Sequence, residues 1–262
     1  MKKCIWCSRT EQETSFHKLA HTIPQALGGK NICENVCDQC NSYFGQYNYG
    51  LPPIETVLKE TFNISRIRLA GKEEIGKNKT ISKVSSIYFN IDHKNNSLRL
   101  KNSYKFHKSF QEKIARQMKR GIYKIFLEET ERQFSNGHDE KFNFIREFAR
   151  YNIGDYPIFY FTRGIGAILF TIDWIKNPEF ILDEGSPMQY IIHEPSFVEF
   201  EFFGHVMGIA TSRNWEISYD LYEKRTIEAK KKFFKSFKPI TSFNDFDLSL
   251  SILDDQKTTN NR

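Results

Sequence analysis

No stretch of 18 consecutive apolar residues occurs in this 262-residue sequence, so none of its segments reads as a membrane span. Phosphate-binding and dinucleotide-binding glycine motifs are both missing, which argues against a nucleotide-driven enzyme. There is no internal repeat, so a solenoid or propeller is not expected. The start, M-K-K-C-I-W-C-S-R-T, carries two lysines without a long apolar stretch behind them and does not read as a signal peptide. Cysteine is scarce, with five in total, and four of them fall in two C-x-x-C pairs. That spacing fits a reducing, cytoplasmic setting better than a secreted disulfide framework.

Aromatic material is plentiful. The chain has 24 Phe, and 39% of its residues are hydrophobic, enough for a substantial core. The net charge of +6 is unevenly distributed. Residues 1–60 hold 6 basic and 6 acidic side chains, residues 61–130 hold 16 and 6, and residues 131–262 hold 16 and 20. The positive excess thus follows the cysteine-rich start, a placement suited to holding a phosphate backbone; a solvated basic face is the plainer alternative.

Cys4 and Cys7 form one knuckle, and Cys37 and Cys40 a second. Tetrahedral zinc takes four soft ligands, commonly as two such pairs, and a site closed by four thiolates has no open position and is structural. Between the knuckles, His21-Thr22-Ile23-Pro24 is a short β-branched run ended by proline, and Gly28-Gly29 marks a turn. Cys37, Cys40 and Asn41 stand at i, i+3 and i+4, one face of a helix. Strand, loop, strand and helix follow in order. Cys33 reads as a buried free thiol.

The set Cys4, Cys7, His21, Ile23-Pro24, Gly28-Gly29, Cys37, Cys40-Asn41 and Gly45 resembles the HNH endonucleases of the ββα-metal class, in the subgroup whose zinc is bound by two C-x-x-C pairs. The resemblance covers about the first 50 residues. It implies that His21 is the general base activating water against a phosphodiester, and that Asn41 ligates the catalytic divalent cation. An imidazole of ordinary pKa can take a proton at neutral pH, and a hard cation such as Mg²⁺ or Mn²⁺ stabilises charge on the phosphate oxygens. Magnesium keeps several waters, so one or two protein oxygens suffice. The family's middle Asn, which orders the loop over the site, falls on Asn35 or Asn31. Many relatives carry Asp or Glu just before the base, where this chain has Ala20. The cation would then be held by fewer ligands, by another residue such as His17, Glu34 or Asp38, or by the substrate phosphate.

The expected fold is α+β: a small N-terminal zinc-bound ββα-metal module (1–50), then a larger α+β domain with an antiparallel sheet (51–242), then a polar, disordered tail (243–262). A helix opens after Pro52-Pro53. Residues 65–101 read as strands, including Ile67 and Leu69 and a hairpin of 87–91 with 98–100. Residues 104–134 read as an amphipathic helix with Phe106, Phe110, Ile114, Met118, Ile122 and Ile125 inward. Lys113, Arg116, Arg120 and Lys124 fall nearly opposite, as candidate contacts to nucleic acid or as an ordinary surface stripe. A short helix is expected near 140–151. Strands are expected at 156–162, 165–172, 188–193, 197–203 and 205–210 in a meander, with His193 and His205 structural. Residues 215–219 read as a last strand and 221–237 as a helix.

The resemblance implies an enzyme that hydrolyses DNA, and neither its base nor its cation distinguishes DNA from RNA. Two other readings stay open: a zinc-dependent nucleic-acid-binding module without catalysis, and a nuclease gated by a ligand or partner on the C-terminal domain. Defence, restriction and mobile-element systems all use such modules. A homo-oligomer and a regulatory partner are both compatible with the sequence.

Overall fold

The computed structural model describes residues 1–48, 50–77, 85–92, 97–164, 172–180, 196–230 and 234–251. The expected strands at 165–172 and 188–193, with His193 and the turn at 194–195, lie outside the described residues apart from position 172, as do the hairpin turn at 93–96 and the tail from 252. No helix among the described residues is long and apolar enough to cross a membrane.

The N-terminal strand pair is reduced to single antiparallel bridges, Lys3 with Thr10 and His21 with Ile32. Helix α1 (Asp38–Phe44) follows the second knuckle and stops at Gly45. Helix α2 (Ile54–Lys77) opens behind Pro52-Pro53, whose fixed φ and missing amide suit a first helical turn. It is interrupted at Gly71, which has φ 71°. The strand expected around Ile67 and Leu69 is therefore helix. Residues 60–67 are buried without interruption, so no polar face marks the helical period there.

Strands β1 (Phe89–Asp92) and β2 (Ser97–Leu100) pair antiparallel as the expected hairpin. Helix α3 (Lys108–Phe134) spans about 40 Å at 1.5 Å per residue. The His107 imidazole caps it, accepting from the Phe110 amide at 3.2 Å. Gly121, a weak helix former, has a specific use: a Cβ there would lie 2.6 Å from the Leu58 side chain, so its absence lets α2 and α3 close together. Residues 140–150 continue as one irregular helical segment that ends in a π turn at Arg146–Arg150.

The main sheet contains β3 (Ile158–Arg163), β4 (Phe197–Phe202), β5 (His205–Ala210) and β6 (Phe234–Pro239), all antiparallel in the order β4-β5-β3-β6. It is not the expected meander, because β3 lies between β5 and β6. Phe203 and Gly204, both with positive φ, make the two-residue turn joining β4 to β5. Both faces of the sheet are covered. Ile158, Tyr160, Phe200, Met207 and Ile209 join the large core that includes α3. On the opposite face Phe159 and Phe197 pack against Tyr222 of helix α5 (Glu216–Lys230), which follows the five-residue α4 (Ile172–Lys176).

Two assignments near the C-terminus are corrected. Residues 216–219 begin α5 rather than forming a strand, the helix is described to Lys230, and Phe234 and Phe237, expected in the helix, pair with β3. The tail expected from residue 243 is packed as far as 251. Phe243, Phe246 and Leu250 are buried, and Ser242 and Asp245 form a reciprocal capping box. Phe243→Ala is expected to cost about 3–5 kcal/mol, measured as a fall in urea-unfolding midpoint; a disordered tail would give no change.

Candidate metal centre and active site

The thiol sulfurs of Cys4, Cys7, Cys37 and Cys40 all lie within 4.8 Å of one another, with Cys7 and Cys37 3.7 Å apart. A tetrahedron of Zn–S bonds near 2.3 Å has edges of about 3.8 Å, so the donor set fits zinc in size, number and chemistry. Three of the four cysteines are buried and Cys7 is half-buried. The Cys37 amide donates to the Cys4 sulfur at 3.4 Å, and Arg150 Nε donates to the Cys40 sulfur at the same distance. A hydrogen bond with Cys40 draws the Cys4 thiol down to about 5, against burial, which raises it. The same bond, with burial, pushes Cys40 up. A divalent cation would replace the thiol protons on binding. The Arg150 guanidinium would offset the net negative charge of a tetrathiolate site. Cys33 is outside the cluster, and burial, then the Glu128 charge, hold its thiol protonated.

The two cysteine knuckles bracket the rest of the module. Asp38, the first residue of α1, accepts from the Lys18 amide at 2.7 Å. One turn on, Asn41 Nδ2 donates to the Leu19 carbonyl at 3.2 Å, and the Lys18 ammonium reaches Ser42 Oγ at 2.7 Å. The outer face of α1 is therefore laid along the segment leading into His21. With its nitrogen committed, Asn41 has its amide oxygen as the remaining polar atom of its side chain. His21 is half-buried, and among the described residues its ring makes no hydrogen bond. Ala20, the position acidic in many relatives, is 1% exposed and packed in the core. The Asp38 carboxylate is occupied with the backbone at Lys18. Gly28 has φ +93°, and a Cβ there would meet Arg66 Nη2 and the Lys176 carbonyl, each at 2.7 Å. The double-glycine turn is needed both for its backbone conformation and for this close approach.

Asn35 does not bond the loop carrying His21. Its side chain donates to Glu131 of α3 at 2.5 Å, and its carbonyl accepts from the Ile5 amide at 2.8 Å. The loop contact is made by the backbone of the other candidate, Asn31, whose carbonyl accepts from the Thr22 amide at 3.0 Å.

The basic stripe of α3 is corrected most. Lys113 is exposed as expected. Arg116 is half-buried, bonded to Asn152 and Gly154 and 3.4 Å from Asp155. Arg120 and Lys124 are 1% and 0% exposed and face inward, where no DNA backbone could reach them. Arg120 donates to the Tyr43 hydroxyl at 2.6 Å and to the Phe148 and Ala149 carbonyls. Lys124 donates to the His21 carbonyl at 2.8 Å and to Glu128 at 2.8 Å. Arg120→Ala is expected to lower stability by roughly 2–4 kcal/mol through orphaned buried acceptors, whereas Lys113→Ala changes it by less than about 0.5 kcal/mol. Thermal melts of the two variants check this; equal melts would contradict the assignment.

The run Glu128, Glu129 and Glu131, which carries no motif in the sequence, joins this seam. Glu128 accepts from Trp6 Nε1 at 3.1 Å, and Glu129 accepts from the Thr22 hydroxyl at 2.5 Å. The one signal in the sequence was an acidic triplet following a basic stretch on one helix. Burial pushes Glu128 up to about 7 against the pull of Lys124.

Residues 4–48 match the family model described as HNH endonuclease. No curated protein and no solved structure matches the chain. The N-terminal segment is an HNH-type module with a cysteine cluster, and the match supports a nuclease.

Proposed function

We propose that this protein is a metal-dependent endonuclease that hydrolyses phosphodiester bonds in DNA, with His21 as general base and Asn41 as a ligand of the catalytic cation. The observation that carries this reading is the Asn41–Leu19 hydrogen bond, which ties the ligating residue of α1 to the segment entering the base. Cys4, Cys7, Cys37 and Cys40 would hold a structural zinc. Mg²⁺ or Mn²⁺ bound at Asn41 would supply charge stabilisation at the phosphate oxygens. His21, half-exposed and with no hydrogen bond to its ring among the described residues, takes the proton from the attacking water. Lys18 and Asp38 keep the segment before it against α1. The first 50 residues form the nuclease module, and the remainder serves to hold DNA or to regulate it.

A second reading, a zinc-dependent binding module without hydrolysis, draws support from Ala20, since no carboxylate stands at that position. Incubating the purified protein with plasmid and Mg²⁺ or Mn²⁺ separates the two. Conversion of supercoiled to open or linear DNA supports the nuclease; salt-sensitive binding without any cleavage supports the binder. Parallel reactions with single-stranded RNA test the choice of polymer.

A further inference from the structure

The buried ammonium of Lys124 has an uncommon set of partners. Its Nζ lies 2.8 Å from the His21 carbonyl oxygen, 3.3 Å from the Thr22 carbonyl and 2.8 Å from Glu128 Oε2. Glu55 of α2 stands 3.8 Å away. The side chain is 1% exposed and Glu128 is fully enclosed. Enclosing a charge this deeply is costly unless its partners are well placed, and here two of them are consecutive main-chain carbonyls of the segment bearing His21. The next residue is held as well, through the Thr22 hydroxyl on Glu129. Glu128 also accepts from Trp6, which lies between Cys4 and Cys7. One helix thus grips both the first zinc knuckle and the strand of the base.

The HNH-type match ends at residue 48, so this grip comes from outside the module. The module's own strand pairing at His21 is a single bridge to Ile32, too little to fix a backbone by itself. We propose that Lys124 is a positioning residue for the nuclease, fixing the main chain of His21 and Thr22 so that the imidazole is held at the scissile phosphate. The proposal rests on His21 being the general base. Lys124 touches no substrate; it acts through the backbone of the residue that does.

Lys124→Met removes the ammonium while retaining much of the side chain's volume. Lys124→Met/Glu128→Gln removes both charges and leaves an amide oxygen for Trp6, so it guards against a fold lost to an unpaired buried carboxylate. Each is compared with wild type for zinc content, kcat and KM on plasmid DNA, and amide hydrogen exchange. The expected result is a fall in kcat of at least tenfold with KM within twofold and one zinc per chain retained. Exchange at the Thr22 and Cys33 amides, which pair across this strand, should rise at least tenfold, while the Asn41 amide stays protected. A variant that holds its zinc, keeps kcat within twofold and leaves Thr22 and Cys33 protected would overturn the assignment. If wild type itself cuts nothing, the nuclease reading fails, and the exchange measurement alone decides whether Lys124 fixes this strand.

Discussion

Stripping the zinc, or replacing Cys37 with serine, is expected to unfold the first 48 residues and abolish any nuclease activity. Inside the module itself, little besides the cysteine cluster holds it, and the contacts from α3 grip only a module already folded. Its strand pairs are single bridges and α1 is seven residues long, well below the length at which an isolated helix persists in water. Binding of structural zinc in small knuckles is worth about 10–16 kcal/mol, more than the whole stability of many domains. Trp6 reports the change directly, being 1% exposed and packed edge-on against Phe44 at 5.0 Å. Chelation should shift its emission to the red and release one zinc per chain. Cys33→Ser provides the contrast, because Cys33 lies outside the cluster, and its zinc content should equal that of wild type. Loss of zinc from Cys33→Ser, or retention by Cys37→Ser, would contradict the ligand set.

His21→Ala is the second large effect. Removing a positioned general base costs typically 10²–10⁴-fold in rate. The loss should appear in kcat with the fold intact, because the imidazole itself makes no hydrogen bond among the described residues and only the backbone of His21 is gripped by α3. Zinc content and thermal midpoint of the variant should match wild type, and its DNA affinity should change little. Cleavage persisting at the wild-type rate would remove His21 from the mechanism.

The parts legible from sequence are those where chemistry is local. Two C-x-x-C pairs state a ligand set by themselves, and α3 shows its apolar stripe from Phe110 to Ile125, about four turns, while Phe106, expected inward, precedes the helix and is exposed. The side of α3 that carries Arg120, Lys124 and Glu128 was misread for a physical reason. A charged stripe on a helix looks alike whether it meets water or a set of main-chain carbonyls and hydroxyls. Only the tertiary partners, Tyr43, His21, Thr22 and Trp6, distinguish the two. Ile67 and Leu69 read as strand in sequence but lie in α2, where Arg66, although charged, is buried. Its Nε donates to the Ile175 carbonyl and a terminal nitrogen to the Ala26 carbonyl, so polarity no longer tracks exposure. Phe234 and Phe237 similarly owe their strand to pairing with β3, about 75 residues earlier, which no local window contains.

Paramagnetic broadening by Mn²⁺ in the zinc-loaded protein tests most directly whether a cation held by the Asn41 amide lies beside the His21 imidazole. Titrating Mn²⁺ and following side-chain resonances should broaden the His21 ring and the Asn41 amide together at low occupancy. His205, enclosed beneath Tyr160 and Phe246, and His107, at the far end of α3, should stay sharp. A titration in which His21 and Asn41 remain as sharp as His205 would contradict the account.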